Sequence, residues 1–173
     1  GVQLTALLGP DAQAATFLQQ SGDFQVLQLS THAHAGGRGE PGIEFFDRAV
    51  TLPEIYARRI PASLVALSAC ETGTGEYAEG EGVLSLARAF AYAGAESLMA
   101  SHWSVNERAT VELYAGFYAQ IQQGVSRAEA LRRAKLAWLD KSQSDARKAP
   151  WYWAAITLSG ADGTISLHQN TGW

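Results

Sequence analysis

Cysteine occurs once in this chain of 173 residues, at Cys70. A single thiol excludes an internal disulfide framework and makes a reducing cytoplasm the expected location. Basic residues are not in excess. Thirteen Lys and Arg against 17 Asp and Glu give a net charge of −4, and both signs are interspersed, which argues against direct nucleic-acid binding. No apolar run approaches the roughly 20 residues needed to span a bilayer, so no membrane contact is expected. The opening "GVQLTALLGPDAQ" lacks the basic start and long apolar centre of a signal peptide. It also lacks an initiator Met, so the chain is expected to be a piece of a longer protein. Internal repeats and low-complexity segments are absent as well. Only 17% of residues are charged and 47% are hydrophobic, a globular composition at a length that suits one domain.

Four short apolar runs read as buried strands: residues 24–30 ("FQVLQLS"), 63–69 ("SLVALSA"), 96–101 ("ESLMAS") and 153–159 ("WAAITLS"). Near-continuous apolar runs bounded by turn signals fit strands covered on both faces. Helices are expected between them. Residues 9–22 carry Pro10 and Asp11 at the start and Gly22 at the end. Residues 51–60 place Pro53 in a first turn. Residues 81–95 put Leu84, Ala87, Phe90 and Ala91 on one stripe and stop at Gly94. Residues 106–124 start at the cap residue Asn106 and stop at Gly124. Residues 126–142 start at Ser126, with Glu129 completing a capping box. This alternation predicts an α/β fold: a mainly parallel central sheet with helices on both faces.

Two polar, glycine-rich stretches, "HAGGRGEPG" and "ETGTGEYAEGEG", are expected as loops leaving the C-terminal ends of strands. Ligands and chemistry collect at that edge of open α/β sheets. His32, His34 and Cys70 should therefore approach one another if their strands are neighbours. A thiol attacks a carbonyl well only as thiolate, so a catalytic Cys70 needs an imidazole nearby. His32 would serve as general base and then as acid toward the leaving amine. Backbone N–H groups after each of these residues can hold the oxyanion, since the small Ala33, Ala35, Gly36 and Gly37 let a substrate carbonyl come close. The plainer alternative is that Cys70 is a small buried hydrophobe ending a strand. A metal site made from His32, His34, Cys70 and His102 is not expected, because no C-x-x-C or H-x-x-x-H spacing is present. No cofactor is expected either.

The segments "LQLSTHAHAGG", "LSACETG", "GVLSLARAFAYAGA", "MASHWSV" and "WYWAAITLSG" occur in this order. Together they resemble the CHAT domain family (caspase HetF associated with tetratricopeptide repeats), whose members are similar to caspase- and separase-type cysteine peptidases. "AEALRRAKLAWL" resembles the family's late helix, and the resemblance runs from about Leu7 to Gly160. It implies a caspase-like three-layer sandwich and no cofactor. It implies Cys70 as nucleophile and His32 as its partner, with His34 as fallback, and the backbone N–H groups of Ala33 and Cys70 as the oxyanion site. Ala33 departs from the family's Gly, and alanine adopts positive φ less cheaply. His102 stands where the family usually has Leu, and reads as a half-exposed neighbour of the site or as a second imidazole lining it. Glu107 matches an acid that would select a basic substrate side chain; equally, it sits where an acid favours a helix dipole. Trp103 would wall a subsite or pack under the loop. Glu71 and Glu76 read as solvated loop charges. The implied function is cleavage of a specific protein partner, gated by an attached tetratricopeptide-repeat region or activating partner. The alternative is a catalytically inactive scaffold or adaptor.

Overall fold

A computed structural model of the chain describes residues 4–34, 41–68, 81–103, 106–142 and 144–166. The four apolar runs form one sheet: β1 (Val26–Leu29), β5 (Leu64–Leu67), β6 (Ser97–Ser101) and β7 (Ile156–Gly160), in that spatial order. β1, β5 and β6 are parallel, and β7 returns antiparallel beside β6. The register aligns Leu29 with Leu67 and Leu67 with Ala100. A second sheet lies between β1 and β5 in the chain: β2 (Ala33–His34), β3 (Gly42–Glu44) and β4 (Ala49–Thr51), all antiparallel. His34 and Gly42, expected in a loop, thus pair with each other as the first rung of β2 and β3. Two- and three-residue strands flanked by Gly and Pro are too short for alternation to reveal.

Among the described residues the α-helices are α1 (Ala14–Gln20), α2 (Leu52–Tyr56), α3 (Glu81–Ala93), α4 (Glu107–Ile121), α5 (Arg127–Lys141), α6 (Asp145–Lys148) and α7 (Pro150–Trp153). Alternate residues of the main sheet feed two cores. Val65, Leu67, Leu98 and Ala100 pack with α1, α2, α3 and the small sheet. Leu64, Ala66, Met99 and Ile156 pack with α4 and α5. This is the α/β sandwich expected, with helices on both faces. On α3 the buried stripe is Leu86, Ala89, Phe90 and Ala93, whereas Ala91 faces solvent. The side chain of Leu84 lies outside the described residues. Gly94, at φ +111°, ends α3 by letting Ala95 N–H reach Phe90 O at 2.9 Å, a closure that favours glycine.

Helix starts combine local and distant caps. Asn106 accepts from Ala109 N–H at 3.2 Å as expected. The capping box expected at Ser126 is not formed: Glu129 turns instead to Arg132 and Arg133, whose charges hold its carboxyl down at about 2. Asp162, beyond β7, caps α5 in its place, accepting from Ala128 N–H at 2.9 Å and from the Ser126 hydroxyl at 3.2 Å. Asp47, in the β3–β4 turn, likewise caps α1 through Ala14 N–H at 2.8 Å. A true capping box joins Thr51 and Glu54 at α2. There Arg48, followed by the Thr51 N–H, holds the Glu54 carboxyl at about 2.

At the N-terminal edge of the sheet, Arg127 is buried. Its guanidinium reaches Ser63 O, Ser97 Oγ and Gly163 O, so one side chain joins the starts of β5 and β6 to the segment after β7. Glu96, half exposed, completes the set at 3.1 Å.

Candidate active-site edge

The site is built at the C-terminal edge of the parallel strands. His32 is the third residue after Leu29, the end of β1, and its side chain is exposed. Its backbone is fixed against β3: Glu44 N–H donates to His32 O at 2.8 Å, and the Thr31 hydroxyl donates to Glu44 O at 2.7 Å. The next side chain, Ala33, is buried in the core beneath the small sheet. Alternation along the extended chain therefore turns His32 to the opposite side, toward solvent.

The same pairing fixes the Ala33 N–H. The Glu44-to-His32 bond makes those two residues a hydrogen-bonded antiparallel pair. The next pair, Ala33 with Ile43, is then a non-bonded one, and the Ala33 N–H points away from β3. No non-glycine residue among those described has positive φ. Ala33 accordingly occupies ordinary strand geometry, and its Cβ imposes no strain where the family pattern has Gly.

Cys70, Glu71 and Glu76 lie outside the described residues. The strand that leads to Cys70 is described as far as Ser68. The Ser68 N–H donates to Leu29 O at 3.0 Å, extending the β1–β5 ladder by one bond. His34 belongs to β2 through its backbone; its side chain is outside the description.

Beyond β6, His102 is half-buried. Its N–H donates to Ala155 O at 3.0 Å and its Nε2 lies 2.7 Å from Thr157 Oγ1, so it closes the β6–β7 pair. Trp103 is half-buried, donates its indole N–H to Trp151 O at 3.1 Å, and stacks on the Trp151 ring with centroids 6.0 Å apart. Trp151 is itself exposed. Glu107 is exposed in the first turn of α4, where an acid complements the helix dipole.

One feature of this edge was not anticipated. The residues that immediately follow the aligned Leu29, Leu67 and Ala100 are all serines: Ser30, Ser68 and Ser101. Each precedes a candidate site residue by two positions, in "STH", "SAC" and "SHW". That repeated S-x spacing was the available signal. The first two serines are joined: the Ser68 hydroxyl donates to Ser30 Oγ at 2.9 Å, and Gln28 Nε2 donates to both, at 3.1 and 3.2 Å. Behind them the Tyr118 hydroxyl of α4 donates to Gln28 Oε1 at 2.6 Å, and burial raises its pKa so that it stays protonated. Tyr114 donates to Leu67 O at 3.0 Å. Ser101 Oγ is buried and, among the described residues, has no hydrogen-bond partner.

Among the described residues no three His, Cys, Asp or Glu side chains cluster as a metal site, and no helix is long and apolar enough to cross a membrane. A cavity of about 420 Å³ is lined by residues of α4, α5 and Arg147 of α6, and includes none of the residues above.

The model of a family described as "CHAT domain" matches residues 2–161. Tetratricopeptide repeat protein 28 of Mus musculus and its Homo sapiens counterpart are each 28% identical over 113 residues, which is 65% of this chain. The matched part is 4% of the length of either relative.

Proposed function

The chain belongs to the CHAT domain family, a caspase-like group related to cysteine peptidases, and we propose that it is a cysteine endopeptidase using Cys70 and His32. One observation carries this reading. Leu29 and Leu67 are register partners in adjacent parallel strands, and His32 and Cys70 each follow their leucine by three residues.

In the proposed reaction the Cys70 thiol gives its proton to His32, and the thiolate attacks the scissile carbonyl carbon. The oxyanion is received by the N–H groups of Ala33 and Cys70. The orientation of the Ala33 N–H away from β3 supports this role. The tetrahedral intermediate collapses, the C–N bond breaks, and His32 returns its proton to the leaving amine. Water, deprotonated by His32, then hydrolyses the thioester. The substrate is a protein partner. Trp103 offers it an aromatic wall, and the exposed Glu107 offers only weak selection for a basic side chain. The tetratricopeptide name of the relatives supports gating by such a repeat region or by an activating partner.

Because Cys70 is the only cysteine, iodoacetamide alkylation followed against pH tests the pair without a known substrate. A His32-paired thiol should react at pH 6 far faster than an ordinary one, and His32→Ala should remove that advantage. A rate profile governed by an ordinary thiol pKa of about 8.5 refutes the pair. The second reading is an inactive scaffold, which the ordinary strand geometry of Ala33 does not favour. It predicts no labelling of Cys70 by a peptidyl fluoromethyl ketone even with the activator bound.

A further inference from the structure

We infer that Ser68 and Ser30 form a clamp that positions the reacting pair by locking together the exits of β1 and β5; this rests on the Cys70–His32 reading. The main-chain ladder between these strands reaches its last described bond at Ser68 N–H to Leu29 O. Beyond that rung, β1's continuation departs toward β3, where Glu44 holds Thr31 and His32. The side-chain bridge from Ser68 to Ser30 is therefore the last described link between the two strands before the chemistry-bearing residues.

The amide that supports the bridge is held in one orientation by α4. The Tyr118 O–H donates to Gln28 Oε1, so the amide group is oriented and its two N–H donors are left for Ser30 and Ser68. Both amide protons are thus used within the clamp. A solvated serine pair contributes little to global stability. Its cost in flexible side chains is small, and its effect is local: it fixes the spacing of the two strand ends. His32 is then held from two directions, by Glu44 on one side and by the clamp on the other.

The test uses the alkylation profile of Cys70 in the whole chain. Ser68→Ala should slow the reaction at pH 6 about fivefold or more, by returning the thiol toward its ordinary acidity. Ser68→Thr, which keeps the hydroxyl, should restore the parent rate. Ser30→Ala should reproduce the defect, and the double variant should be no slower than either single one, as coupled partners require. Thermal midpoints should stay within about 2 °C of the parent. If the parent shows a His32-dependent fast thiol and Ser68→Ala leaves it unchanged, the clamp is wrong and the peptidase reading stands. If the parent thiol is ordinary, the peptidase reading fails and the clamp with it.

Discussion

Leu29 and Leu67 lie side by side in parallel strands, and the rung above them pairs Ser30 with Ser68. Two apolar residues under two hydroxyls mark the level at which the sheet stops being core and becomes the candidate-site edge. Below that level, burial decides residue choice. Above it, position along the strand does.

Ser101 extends the serine row onto β6 but spends its hydroxyl on nothing described. A buried hydroxyl without a partner costs about 1–3 kcal/mol relative to a satisfied one. Ser101→Ala should therefore stabilise the chain by about 1 kcal/mol, raising the thermal midpoint by a few degrees. Calorimetry checks this; a lower midpoint would mean that the hydroxyl is in use.

Arg127 should be among the most sensitive positions. Its ion pair with Glu96 contributes little, because that carboxylate is half exposed. The larger loss comes from the guanidinium's own bonds to Ser63 O, Gly163 O and Ser97 Oγ, although Ser63 O keeps the Ser97 hydroxyl and Gly163 O keeps the backbone N–H of residue 127 as donors. Arg127→Met should destabilise by about 1–3 kcal/mol in urea unfolding. A change below about 1 kcal/mol would show that these acceptors find other donors.

Acid should weaken the helix caps. Asp47 and Asp162 both have lowered pKa values, chiefly because backbone N–H groups of Ala14 and Ala128 bind their charged forms. With folded values below the unfolded one of about 3.9, their contribution is complete above that pH and is lost as pH falls through the folded values. Thermal midpoints measured from pH 6 down to pH 3 should fall less steeply in Asp47→Asn and Asp162→Asn. An unchanged slope in both would remove these carboxylates from the acid response.

Glu107 tests how much selectivity an exposed acid confers. In the first turn of α4 it is solvated, and exposed ion pairs contribute at most about 1 kcal/mol. Glu107→Gln should change any preference for a basic residue by less than about fivefold in a peptide library. Complete loss of the preference would place this carboxylate in a desolvated pocket instead.

The main sheet and five longer helical segments were legible in the sequence because apolar runs and cap residues are local signals. Asn106 and Gly94 act as their types suggest. The small sheet was not legible, since strands as short as Ala33–His34 carry no period. Nor was the cap of α5: Ser126 and Glu129 have the spacing of a capping box, but Asp162, 36 residues beyond Ser126, supplies the acceptor. The serine row needed the inter-strand register, which no single segment contains. His32 could be singled out from residue order, whereas the direction of the Ala33 N–H follows only from its pairing with Ile43.

The antiparallel return of β7 sends the chain back to the far edge of the sheet, where Asp162 and Gly163 engage the start of α5. The two edges are therefore separate in space, one tied by Arg127 and the other by the residues that follow the strands. Changes around Arg127 bear on the tie between the strand starts, while changes after Leu29, Leu67 and Ala100 bear on the candidate site at the opposite edge.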